Sequence, residues 1–496
     1  MILVMKDFMK RFLKLSVEYS KFWPILFILL LSSLFFYPVI IQNKIPLPTD
    51  ALVGAHVPWI EVDWKEYPAG VPIKNQEITD AISQFYPWKS LIGKFWRAGK
   101  APLWNQYMFS GHPFLANLHS GGLYPLNFFY IFFSDANSWT LLVFMQVFLA
   151  LIFMFLLLKE LNLDNKASLF GAIIFSFSGY MIAWLEFTNG GQAGLWLPLL
   201  LFFELKLIRN KQNYWIIPIS GIFFFIYTAG DFQVPFYETI IYLLFAGYYL
   251  ISQKKNGKYR LKSFFSIILA FIVGIFLSLP QLLPTIELFL NSVRVSDPYI
   301  KEYYYGIMNW EKIVNFIWPD FFGNIVTRNY WAKYGYHEYL AFTGIISIVF
   351  LVYGFLTRKK YLEKFFWLIL FLSLLFLFPT PLAFLVYKLK IPALGTSSAS
   401  RIIYLVDFCI AVLSAYGFYK WNKKMDLKVS KVILYLLVIT IGVVVGLVIN
   451  VLILNKYNNT DILRLITNLK VSIKNIIPST FFLVIILSGI YFYKIF

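Results

Sequence analysis

NSWTLLVFMQVFLALIFMFLLL, residues 137–158, carries no charged side chain along its whole length. A helix needs about 20 predominantly apolar residues to cross the roughly 30 Å hydrocarbon core of a bilayer, so this run is long enough to span a membrane. A second such run, SFFSIILAFIVGIFLSLPQLL, occupies 263–283. Working outward from these two, similar runs recur along the chain, near 22–41, 167–187, 191–207, 213–229, 233–252, 339–357, 364–387, 402–419, 432–454 and 477–494. Apolar and polar residues do not alternate with strand period, which argues against a β-barrel. The expectation is an all-α polytopic membrane protein of about twelve transmembrane helices, forming a single domain over 1–496.

Composition agrees. Of the 496 residues, 59% are hydrophobic, 20% aromatic and only 14% charged, against about 25% charged in a soluble chain. A net charge of +19 would suggest a nucleic-acid partner in a soluble protein. Here topology explains it better, and no nucleic-acid partner is expected. Lys and Arg cluster in the N-terminal arm and in short segments around 159–166, 206–211, 254–262, 358–364 and 420–431, which together hold more than half of the 44 basic residues. The positive-inside rule then places both termini in the cytoplasm of a multi-pass cell-membrane protein. The N-terminal arm precedes an apolar run with no small-residue cleavage site after it, so that run reads as a retained first span. The sole cysteine, Cys409, lies inside an apolar run and allows no intramolecular disulfide.

By the same rule two long loops face outward, 42–136 and 289–338. They contain all four histidines (His56, His112, His119 and His337) and eight of the fifteen tryptophans. Loops this long are commonly functional. Within 77–97 the apolar residues Ile78, Ile82, Phe85, Ile92, Phe95 and Trp96 recur at helical spacing, with a break expected at Pro87. That pattern fits one or two amphipathic helices lying along the membrane surface. Asp80 and Gln84, four apart, would share a face. Asp50 lies close after the first span and so also near the surface.

Carboxylates at this interface suit transfer from a lipid phosphate. The phosphate is already a good leaving group, so one base to deprotonate an acceptor hydroxyl and cations to hold the phosphate are enough. Arg294 and Arg401 are the candidate cations, because guanidinium matches phosphate geometry. The same residues have plainer uses: Asp80 and Asp50 as helix caps, the arginines as headgroup anchors. His112 and His119 are not spaced like zinc ligands. Glu186, Asp231 and Glu287 fall at outer ends of spans, where they could line a cavity facing the first loop. Glu204, near a cytoplasmic end, is expected to be solvated. Glu238 and Asp407 lie within spans, where ionisable residues are costly and often functional.

An ordered series of segments carries a resemblance. TDAISQFYPW (79–88), APLWNQYMFSGHPFLAN (101–117) and LYPLNFF (123–129) are followed by AGDFQVPFY (229–237) and LPQLLPTIELFLNSVR (279–294). WPDFFG (318–323), HEYLAFTG (337–344) and SASRIIYL (398–405) complete it. In this order the chain resembles the YfhO-like family of bacterial membrane proteins, within the GT-C superfamily of glycosyltransferases. The resemblance implies a polyprenyl-phosphate sugar donor, an acceptor in the cell envelope (polymer, lipid or protein) and an Asp base in the first outer loop. That role falls on Asp80 in preference to Asp50, with Gln84 beside Asp80 placed to bind and orient the sugar or the acceptor. It implies phosphate contacts from Arg294 and Arg401, and a sugar pocket walled by Trp104, Asn105, His112 and Asn117. A divalent cation is required in some members and not in others. The competing reading is a flippase or secondary transporter for a lipid-linked or anionic solute, using the same arginines and acids within the spans such as Glu238 and Asp407.

Overall fold

A computed structural model describes residues 22–495 apart from 211, 253–256, 293–305, 334, 392–393, 395–396 and 457–461. Arg294 therefore lies outside the described residues. Among those described, seven helices are long and apolar enough to cross a membrane: Asp135–Glu160, Gly190–Asn210, Gln233–Ser252, Gly257–Leu290, Ala399–Lys424, Lys428–Asn450 and Leu463–Phe492. The pair Tyr361–Leu377 and Pro381–Lys388, bent by 70°, would make an eighth. The runs read at 22–41, 213–229 and 339–357 correspond to shorter apolar helices, Phe22–Phe35, Asn213–Thr228 and Ile345–Leu356. The chain is thus an all-helical protein of the membrane type, its only described sheet the two-residue pairing of Trp104–Asn105 with His112–Pro113.

Local chemistry sets the helix ends. Ser134 and Asp164 cap the helices Asp135–Glu160 and Asn165–Ser176 through side-chain oxygens that accept from Asn137 N and Ala167 N, satisfying amides that have no partner within the helix. Lys159 lies in the last turn of the first of these, where a cation favours the carbonyl end of the helix dipole.

Burial orders the bundle. Ala399–Lys424 is its axis, with 89% of its most apolar window buried, whereas Lys428–Asn450 and Leu463–Phe492 bury only 22% and 17% and lie at the margin. The axis packs against Asn165–Ser176, Ile345–Leu356 and Tyr361–Leu377. At the end carrying the short basic connections, Lys206 and Arg209 each reach Glu160 at 2.6 Å, and Lys420 pairs with Glu363. The described parts of the two long loops meet at the opposite end, the loop end, where Glu77 bonds Tyr336 and His337. Glu204 departs from expectation: it is fully buried and neither carboxyl oxygen has a hydrogen-bond partner among the described residues. Its place in the helix Gly190–Asn210 turns it inward among apolar neighbours rather than toward water.

Candidate functional site

A turn at residues 184–188, just before the helix Gly190–Asn210, organises the loop end. Thr188 adopts φ 53°, and the Asn189 side chain accepts from Gly190 N at 2.6 Å. A Cβ at Gly190 would lie 2.8 Å from Tyr180 Oη and 3.6 Å from Asp231 Oδ2, so only glycine lets the turn sit this close. From the turn, Trp184 lies under Arg401, Glu186 feels the charge of Asp50, and Phe187 packs between Phe85 and His337.

Arg401 begins the axial helix. Its guanidinium lies 4.8 Å from the Trp184 ring centre, with Nη2 3.5 Å from Glu338 Oε1 and Nη1 4.0 Å from Asp231 Oδ2. Ser400 Oγ holds the other oxygen of Glu338 at 2.9 Å. Asp231 is fixed through its second oxygen, which accepts Gln233 N and Val234 N at 2.8 Å each. The carboxylates are anchored, while both ion pairs to the arginine are long. Its buried Nε has no partner among the described residues. Its charge is balanced, yet its hydrogen-bonding capacity is not used up.

Glu77 joins the two long loops. It accepts Tyr336 N and His337 N at 2.9 Å each and His337 Nδ1 at 2.6 Å. Burial pushes the Glu77 carboxyl up, but these bonds outweigh burial and hold it below the usual carboxylate range. His337 Nε2 lies 3.8 Å from Glu338 Oε1. A polar chain therefore runs Glu77, His337, Glu338, Arg401, Asp231. Beside it, Lys312 stands over the Tyr339 ring and donates to Lys333 O at 2.8 Å. Burial pulls its ammonium down to about 8, opposed by the charges of Glu311 and Glu77.

Asp80 and Gln84 do share a face: Gln84 Nε2 donates to Asp80 Oδ1 at 3.0 Å on an exposed surface, while Ala81, Ile82 and Phe85 turn inward. Asp80 makes no capping bond. The expected break at Pro87 is absent. Residues 81–85 form a π turn that runs directly into the helix Tyr86–Arg97, and Pro87 sits in its first turn, where no amide donor is needed. Asp50 lies in the short helix Thr49–Ala55, which packs on the 81–85 turn. It too leaves its own helix uncapped and instead accepts Lys74 N at 2.7 Å. Burial, reinforced by the Asp50 charge, raises the Glu186 carboxyl to about 7. A group poised there can exchange a proton near neutral pH.

The remaining candidates are placed differently. Asn105 is buried and committed to structure, its amide 3.1 Å from His112 Nε2 and its oxygen accepting Tyr107 N at 2.9 Å. This pair closes the hairpin. Trp104 is about half exposed on that hairpin, and Asn117 precedes the turn Leu118–Ser120 without a side-chain cap bond. Glu287 is exposed. Among the described residues, no three His, Cys, Asp or Glu side chains gather as a metal site. Glu77, Glu338 and Trp184 were not singled out from sequence. Their only signal is that Glu338 lies in the HEYLAFTG segment and Glu77 just ahead of TDAISQFYPW. No protein-family model matches the chain, and no curated protein matches it.

Proposed function

We propose that the protein is a GT-C-type membrane glycosyltransferase that moves a sugar from a polyprenyl-phosphate donor to a cell-envelope acceptor at the outer face of the cell membrane. The observation that carries this reading is the grouping around residues 184–188. Exposed Asp80 and Gln84 lie on the segment whose Phe85 packs on Phe187 of that turn, Glu186 of the turn feels the charge of Asp50, and Trp184 of the turn underlies an arginine with unused donor capacity. The ordered segments resembling YfhO-like proteins support it further. In this reading the shorter and broken apolar helices also cross, giving about twelve spans, and the basic connections face the cytoplasm.

Asp80 takes the proton from the acceptor hydroxyl as that oxygen attacks the anomeric carbon, and Gln84 fixes the carboxylate's orientation. Asp50 with Glu186 is the alternative base pair. The leaving phosphate is met by Arg401, which Glu338 can release because that contact is long, at 3.5 Å, and by Arg294. A divalent cation would supplement this positive charge at the phosphate.

The acids within the spans favour the second reading, a flippase or proton-coupled carrier. Glu238 accepts from Tyr404 Oη at 2.7 Å and Asp407 from Tyr180 N at 3.2 Å, both fully buried. Reconstituted vesicles carrying radiolabelled polyprenyl-phosphate sugars and a cell-wall extract separate the two. Label transfer that is lost by one or more of Asp80→Asn, Asp50→Asn and Glu186→Gln, each folded, supports the enzyme and names its base. Movement of label across the bilayer without transfer, unchanged in all three variants, replaces it with the carrier.

A further inference from the structure

Residues 101–134 include no Lys, Arg, Asp or Glu, unusual for a segment outside the apolar spans. Within it, the hairpin 104–113 displays large apolar side chains on its outside: Phe109 is 86% exposed, Tyr107 70% and Trp104 52%. The hairpin is stiff. Phe114 N donates to Leu103 O at 2.7 Å, Asn105 and His112 bond across the strands, and a Cβ at Gly111 (φ +105°) would strike the Trp104 ring at 2.7 Å. The exposed aromatics are therefore held out from a rigid base.

Two anchors fix the level of that base. Its C-terminal foot is bonded through Leu115 O to Gln281 of the helix Gly257–Leu290. At about 1.5 Å per residue, Gln281 lies about 30 Å along that helix from Lys262, the thickness of a hydrocarbon core. The other anchor is the helix Tyr86–Arg97, which holds the hairpin through Trp88 Nε1 to Met108 Sδ at 3.3 Å. Ser90 and Arg97 of that helix both bond Asp135, the first residue of a long apolar helix. Both anchors put the hairpin at the hydrocarbon boundary of the loop end, where tryptophan and tyrosine partition favourably.

We propose that the hairpin 104–113 is a membrane finger, with Trp104, Tyr107 and Phe109 seated among the headgroups and upper acyl chains of the leaflet at the loop end. This does not depend on the transferase reading, since a carrier would use the same anchor. The test is site-directed spin labelling of the full chain in phosphatidylcholine–phosphatidylglycerol vesicles, with Cys409→Ala removing the single native thiol. Nitroxides are placed at Phe109→Cys and, should that variant fold poorly, at Tyr107→Cys. Lys65→Cys serves as the aqueous control and Phe276→Cys, 65% exposed on the helix Gly257–Leu290 between Lys262 and Gln281, as the lipid control. The ratio of collisions with oxygen to collisions with a water-soluble nickel chelate is expected to be several-fold higher at 109 or 107 than at 65, approaching that at 276. A ratio equal to that at 65 overturns the proposal, and so does a label shielded from both reagents, which would mark a protein contact.

Discussion

Glu77 shows what one side chain contributes at the residue scale. Its carboxylate receives three donors from a segment about 260 positions away in the chain. Replacing it by alanine leaves two part-buried amides and an imidazole without their acceptor, at a cost of about 2–4 kcal/mol. Because the fold holds Glu77 below its usual range, this stability is present above the ordinary carboxylate value and is lost as pH falls through and below it. Thermal unfolding in detergent should therefore show wild type losing its margin over Glu77→Ala on acidification. A constant margin from neutral pH down to acid denaturation would mean that the charge is not what holds the junction. Nothing near Glu77 in sequence announces its partner, so it was not legible there. The Asp80–Gln84 pair was, because a four-residue spacing fixes that contact locally.

At the scale of elements, apolar length was legible and interruptions were not. Residues 167–187 read as one span, yet the helix from Asn165 stops at Ser176 and a short turn of helix resumes at Gly179. The cause lies outside the segment. Gly179 N donates to Phe342 O at 2.8 Å, and a Cβ at Gly179 would meet Leu340 O at 2.5 Å, so backbone just beyond the second long loop packs into the break. The break in turn frees residues 184–188 to form the site's central turn. Gly190 brings this turn against Tyr180 and Asp231. Gly190→Ala should push Tyr180 and Asp231 apart, loosening the Asp231 contact to Arg401, at about 1–3 kcal/mol of overpacking. Under the transferase reading, label transfer should fall well beyond what the small loss of folded protein explains. A variant with proportionate losses of both would assign the turn a purely structural role.

For the whole molecule, the arrangement of acids sets the two functional readings against each other. One group lies at the loop end, hydrogen-bonded or exposed. Glu204 belongs to another kind, buried in the bundle with no partner for either oxygen among the described residues. An unsatisfied buried polar group costs about 1–3 kcal/mol. A transferase working at the loop end has no use for it, so Glu204→Leu should stabilise the protein by about that amount and leave sugar transfer within about twofold of wild type. A proton-coupled carrier needs ionisable groups inside the membrane. If Glu204 joins Glu238 and Asp407 in carrying the coupling proton, the same substitution should abolish movement of label driven by a pH gradient, however much it stabilises the fold. Measuring melting temperature and label movement on one Glu204→Leu preparation separates the readings. A stabilised protein with intact transfer favours surface chemistry, and a stabilised protein that has lost a gradient-driven movement shown by wild type favours the carrier.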